Sequence, residues 1–102
     1  MSEASGSNSA PDSAVSRVLP IINQKGLHAR ASAKFVHTVE KFDAQVRVSR
    51  GGETVGGTSI MGLMMLAASP GTSITVEATG PQAAEVVAAL EELLAKRFGE
   101  EE

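Results

Sequence analysis

Apolar residues recur along the chain with two different spacings, one typical of strands and one typical of helices. Alternation with a period of two predicts four strands, at residues 15–23, 45–50, 53–55 and 72–78. Apolar spacings of three and four predict three helices, which begin at Ala29, near Ser59 and at Pro81. The order β-α-β-β-α-β-α predicts an α+β open-faced sandwich, a four-stranded sheet with three helices on one face.

Glycine and proline positions add detail to this fold. Pro20 lies in the first strand and has no amide proton to donate, so that strand suits only the edge of a sheet. Gly51-Gly52 predicts the turn of a hairpin. The apolar stripe of the third helix runs on to Phe98, and Gly99 is expected to end that helix.

The chain is predicted to hold one domain at residues 15–99, between a flexible arm at 1–14 and an acidic tail at 100–102. The arm is rich in small polar residues and has neither the basic start nor the apolar run of a secretory signal. No apolar stretch approaches the about 20 residues that a membrane span needs. Whether the acidic tail folds back onto the domain is left open.

The charges of the chain are unevenly distributed. Five of its twelve acidic residues lie in the two ends, whereas all nine basic residues lie between Val15 and Gly99. The basic residues near His28 are Lys25, Arg30, Lys34 and Lys41. This local excess predicts a protein partner with an acidic docking surface. Nucleic acid is a weak rival, because all three aromatic residues of the chain fall at predicted core positions and none is left to stack on bases.

The absence of cysteine excludes disulfides and thiolate metal sites and favours the reducing cytoplasm. Two histidines with scattered carboxylates do not form a metal cluster, and no glycine-rich loop ends in Gly-Lys-Ser/Thr. A serine hydrolase is also excluded, because Met61 stands where a nucleophile elbow around Ser59 needs glycine. We therefore expect neither a metal nor a cofactor.

His28 is the strongest candidate for chemistry. It directly precedes a predicted helix, where unpaired backbone amides and the positive end of the helix dipole favour an anion. A phosphoryl group on the imidazole would find those amides as donors, with the Arg30 guanidinium within reach. A histidine at a helix start is more often only structural, so position alone does not decide between the two interpretations. His37 lies among lysines on the polar side of the same helix and is expected to be solvated.

Two segments carry a resemblance to a known family. Gly26-Leu27-His28-Ala29-Arg30-Ala31-Ser32, followed by Phe35-Val36, resembles the active-site signature of the HPr family of the bacterial phosphotransferase system. Ser59-Ile60-Met61-Gly62-Leu63 resembles that family's second signature, and the likeness spans about Val15 to Phe98.

The resemblance implies a phosphocarrier that is not itself an enzyme. His28 would accept a phosphoryl group at Nδ1 from enzyme I, ultimately from phosphoenolpyruvate, and pass it to enzyme IIA-type proteins for sugar uptake or nitrogen-related regulation. Arg30 would contact the phosphoryl group. Ala31 stands where the family usually has proline, which leaves a freer first turn with one more amide donor. We expect a cytoplasmic monomer.

Ser59 is predicted to cap the second helix, and the resemblance adds a regulatory role. In many members of the family a dedicated kinase/phosphorylase modifies this serine, so such an enzyme and a regulatory protein are candidate partners. Phosphate there would add about −1.5 to −2 charge beside the docking face and repel an acidic partner. The docking residues are predicted to be Lys34, Met61, Leu63 and Met64, because a short helix cannot bury all its apolar side chains.

Two alternatives to the carrier function remain at this point. The Ser59-phosphorylated form could act as an effector of a transcription regulator or kinase without any phosphohistidine. The chain could also be an interaction domain with no covalent chemistry, although the coincidence of His28, Arg30 and Ser59 argues against it.

Overall fold

The computed structural model describes residues 14–100, and within them the predicted order of elements is confirmed. The strands are β1 at Val15–Pro20, β2 at Gln45–Arg50, β3 at Glu53–Gly56 and β4 at Ser73–Thr79. The helices are α1 at Ala29–Val39, α2 at Ile60–Met65 and α3 at Ala83–Ala95, followed by a 3-10 turn at Arg97–Gly99. The predicted arm, apart from its last residue, and residues 101–102 of the predicted tail lie outside the described residues.

The four strands form one antiparallel sheet in the order β1-β4-β2-β3. Among residues 14–100, β1 pairs only with β4, from Val15 opposite Ala78 to Pro20 opposite Ser73. It is therefore an edge strand, as the position of Pro20 predicts, and the missing amide proton costs no hydrogen bond to a second neighbour. The hairpin of β2 and β3 closes at Arg50 opposite Glu53, around the predicted glycine turn.

The three helices cover one face of the sheet and enclose the core against it. α3 packs on β1 and β4, and α1 packs on α2 and α3. Burial alternates along β4, where Ile74, Val76 and Ala78 are buried. The largest fully buried side chains include Phe35, Phe98, Ile21, Leu63, Ile74 and Leu90. Among the described residues, no helix combines the length and apolar content that would carry it across a bilayer.

The end of α3 differs from the prediction. The helix stops at Ala95, and the next residues turn back with left-handed φ values of 56° at Arg97, 55° at Phe98 and 75° at Gly99. Each non-glycine residue in this region costs about 1 to 2 kcal/mol. The Phe98 side chain is only 1% exposed, and burying a phenylalanine returns about 1.5 to 3 kcal/mol. Phe98 is therefore a core residue, as its spacing predicts, but it reaches the core through a chain reversal and not through a longer helix.

The loop that precedes α1 is hydrogen-bonded to the loop between α2 and β4. Ile21 N–H donates to Thr72 O at 2.8 Å, and Leu27 N–H donates to Ala68 O at 3.0 Å. Gly26 has a φ of +65°, and a Cβ atom there would overlap the carbonyl oxygen of Ala68. Only glycine permits this approach of two backbones, which fixes the chain immediately before His28.

We predict that Gly26→Ala lowers the free energy of unfolding by about 3 kcal/mol, because it combines left-handed strain with a backbone clash. Gly51→Ala is the matched control, since Gly51 has a φ of +59° with no atom close to the added Cβ. Gly51→Ala should lower the free energy of unfolding by about 1 kcal/mol, which is the cost of the left-handed backbone alone. Equal losses for the two variants in urea denaturation would show that the approach to Ala68 is unimportant.

Candidate active site

His28 lies where the sequence predicts, at the entrance to a helix. It is the N-cap of α1, with extended backbone angles (φ −78°, ψ −177°), and its carbonyl accepts from Ser32 N–H at 2.9 Å. In an α-helix the preceding amides, here those of residues 29–31, have no intrahelical acceptor. The imidazole is 29% exposed, so it is accessible to a partner protein while still held by its surroundings.

A cavity of about 740 Å³ opens beside the imidazole. Lys25, Arg30 and Lys34 line it together with one carboxylate, that of Glu100. The excess of positive charge and the open end of α1 act in the same direction, because both favour a bound anion. Arg30 is exposed and shares this cavity with His28, so the structure brings these two predicted residues together.

Each ring nitrogen of His28 faces an acceptor. Nδ1 lies 3.1 Å from Gly26 O, to which it donates when that nitrogen carries the proton, and Nε2 lies 3.5 Å from Glu100 Oε2. The second distance is longer than that of a usual hydrogen bond. A group bound to Nδ1 would occupy the space between that nitrogen and Gly26 O, so the ring would have to turn away from this carbonyl.

Asn23 is a site residue that sequence reasoning missed. Its side chain is fully buried, and its amide donates to Gly26 O at 2.8 Å and to Glu100 Oε2 at 3.0 Å. Asn23 therefore links the two acceptors that flank the imidazole of His28. The only signal was general: asparagine is common in turns, and Asn23 directly precedes the predicted turn at Gln24-Lys25-Gly26. What the spacing could not reveal is the contact with Glu100, 77 residues away.

Glu100, the first residue of the predicted acidic tail, lies beside His28. Its carboxylate is only 11% exposed and forms part of the cavity wall. The segment before it is fixed by the buried Phe98, whose carbonyl accepts from the Lys34 ammonium, and by Glu100 N–H donating to Arg97 O at 2.9 Å. These contacts hold Glu100 against the start of α1.

The first turn of α1 is well packed without a proline. Ala31 is fully buried, and Ser32, also fully buried, donates from Oγ to Leu27 O at 3.3 Å. This hydroxyl bond joins the helix to the segment that precedes it. The first turn is therefore fixed by packing and a side-chain hydrogen bond.

Ser59 caps α2, as predicted. Its Oγ accepts from Gly62 N–H at 2.9 Å, and the residue is exposed. Gly62 is part of this arrangement, since a Cβ there would lie 2.8 Å from Ser59 Oγ. The hydroxyl is thus open to solvent while its oxygen completes the start of the helix.

The predicted docking residues divide into different environments. α2 presents an exposed methionine patch, which consists of Ile60, Met61, Met64 and Met65. Met61 and Met65 are 68% and 70% exposed. Leu63 is fully buried, so its predicted docking role is wrong: it is the one position of this short helix that points into the core. Lys34 contacts the carbonyl of Phe98, which gives it a structural role at the cavity edge.

Known proteins are similar to this chain in both sequence and fold. The family model described as the phosphorylation site of the phosphotransferase-system HPr component matches residues 15–96. The phosphocarrier protein HPr of Cupriavidus necator is 52% identical over 82 residues, which cover 80% of this chain and 92% of the relative.

Solved structures agree with this similarity. HPr-C-His from Thermoanaerobacter tengcongensis superposes with a TM-score of 0.82 at 39% identity, over 86% of this chain and 99% of that one. An HPr dimer from the same organism gives a TM-score of 0.68 at 40% identity, over 80% and 94% of the two chains. The sequence signatures, the strand order and the position of His28 at a helix entrance agree with these similarities, and the chain belongs to the HPr family of phosphocarrier proteins of the phosphotransferase system.

Proposed function

We propose that this chain accepts a phosphoryl group on Nδ1 of His28 from enzyme I and passes it to enzyme IIA-type proteins. The phosphoryl group comes ultimately from phosphoenolpyruvate, and the pathway served is sugar uptake or nitrogen-related regulation. The carrier acts in the cytoplasm as a monomer. The observation that carries the proposal is the imidazole at the entrance to α1, beside a cavity lined by three cations.

The residues of the site supply positioning and charge, which are the main requirements of phosphoryl transfer. The Nδ1 lone pair attacks phosphorus, an N–P bond forms, and the bond to the donor nitrogen breaks with its electron pair retained by the donor. The transferred group would then be bound by the amides of residues 29–31 and by Arg30, which shares the cavity. Transfer to the acceptor reverses these steps, and the electron pair of the broken bond returns to Nδ1.

We predict that His28→Ala abolishes uptake of acid-labile phosphate from phosphoenolpyruvate and enzyme I. His37→Ala is the control, because His37 is the only other histidine of the sequence and lies exposed on α1. It should retain uptake within about twofold, as expected for an exposed surface substitution. Undiminished acid-labile labelling of the His28 variant, measured with radioactive phosphoenolpyruvate, would remove the phosphocarrier assignment.

We further propose that phosphorylation of Ser59 by a kinase/phosphorylase of the HPr type lowers transfer. Ser59 is exposed and directly precedes the methionine patch on α2, the helix that packs on α1. Flexible thioethers suit a surface that binds several partners in turn. A phosphate at this edge adds negative charge where an acidic partner would approach, so the encounter is weakened without unfolding of the helix.

We predict that Ser59→Asp raises the KM for this protein in the enzyme I reaction by about tenfold. Ser59→Asn is the matched control, since both side chains are good helix caps and only Asp adds charge. The Asn variant should stay within about twofold of the original chain in steady-state assays. Equal KM values for the Asp and Asn variants would contradict an electrostatic effect. If both values were raised equally above that of the original chain, the altered helix cap would be the cause.

A further inference from the structure

The carboxylate of Glu100 has an unusual environment for an acidic residue near the chain terminus. One oxygen, Oε2, accepts from the Asn23 amide at 3.0 Å and lies 3.5 Å from His28 Nε2. The other, Oε1, is buried with no hydrogen-bond partner among the described residues. A buried, incompletely bonded carboxylate is costly to stability, so its retention beside a reactive ring indicates a role in the chemistry of that ring.

The two acceptors on either side of the imidazole are not equivalent. Gly26 O is a neutral carbonyl, which Asn23 also bonds at 2.8 Å, whereas Glu100 provides a full negative charge. When the ring holds a single proton, the anion favours that proton on Nε2, the nitrogen that it faces. The lone pair is then on Nδ1, where the neighbouring carbonyl repels it. The same carboxylate disfavours a phosphoryl group on Nε2, because two anions would be in contact there.

We propose that Glu100 is a positioning residue for phosphoryl transfer, which keeps a proton on Nε2 of His28 and so makes Nδ1 the phosphoryl-accepting nitrogen. The proposal deepens the proposed function and depends on it. Asn23 holds the Glu100 carboxylate beside the ring by a direct hydrogen bond, and the buried Phe98 anchors the chain that leads to it. Glu100 itself forms no bond to phosphorus.

The retained proton also affects the phosphorylated form. A ring that carries phosphorus on Nδ1 and a proton on Nε2 leaves as neutral imidazole when the N–P bond breaks and its electron pair returns to Nδ1. A ring without that proton would leave as an imidazolate anion, which is a much poorer leaving group. Glu100 therefore keeps the phosphoryl group transferable, either to an acceptor protein or to water, and the hydrolysis releases inorganic phosphate.

The test compares Glu100→Gln with the original chain after phosphorylation by phosphoenolpyruvate and enzyme I. The amide oxygen of Gln can still accept from Asn23, so the substitution removes mainly the charge. After removal of enzyme I, release of inorganic phosphate should be about fivefold slower from the variant, as expected for loss of one ion-pair contact at this distance. Glu85→Gln is the matched control: it removes the same charge from the first turn of α3, roughly 15 Å of helix away from the end of α3 that leads to Glu100.

A spectroscopic measurement on the unphosphorylated, original chain makes the test independent of how well any variant folds. In ¹⁵N NMR of the histidine ring, neutral His28 should carry its proton on Nε2, and Glu100→Gln should shift that population toward Nδ1. Glu100→Asp keeps the charge and should restore much of the original phosphate release. A neutral ring protonated on Nδ1 in the original chain, or equal phosphate release from Glu100→Gln and Glu85→Gln, would overturn the proposal.

The two proposals fail in different ways. If His28 of the original chain takes up no phosphate, the phosphocarrier function fails, whatever the tautomer. If His28 is phosphorylated and Glu100→Gln releases phosphate at the original rate, only the role of Glu100 fails.

Discussion

The buried amide of Asn23 is the interaction on which the organisation of the site depends. One N–H bonds the carbonyl of Gly26 and the other bonds the carboxylate of Glu100, so a single side chain joins the segment before α1 to the end of the chain. A buried amide without these partners would be costly, so the two segments and the amide stabilise one another. The imidazole of His28 lies between the two acceptors that Asn23 holds, so Asn23 sets the surroundings of the ring through Gly26 and Glu100.

The methionine patch and the cation-lined cavity represent two different kinds of recognition. The cavity is charged and lies next to the His28 ring, which suits binding of an anionic group. The patch is apolar and exposed, which suits broad contact with protein surfaces. The burial of Leu63 fixes the orientation of α2 and thereby exposes the methionines around it. A six-residue helix with one core anchor can present a large apolar surface for its size.

Much of the fold and part of the site could be predicted from the sequence. Alternating burial in β4, the edge position of β1 and the helix that follows His28 all result from short-range patterns that the sequence displays directly. Phe98 shows the limit of such patterns, since apolar spacing indicates that a residue is buried but not whether a helix or a chain reversal delivers it. Asn23 and Glu100 were missed for a related reason: their contact joins residues far apart in the chain, and neither residue type is distinctive alone.

The two rims of the sheet have a further consequence for how molecules of this protein meet one another. An unpaired strand offers free backbone groups to any strand from a neighbouring molecule. In the part of the chain that the structure describes, one rim contains Pro20, which has no amide proton to offer, and the other rim is the four-residue β3. Both features shorten the stretch along which a foreign strand could add to the sheet. The described residues therefore offer a neighbouring molecule little backbone for lasting strand pairing.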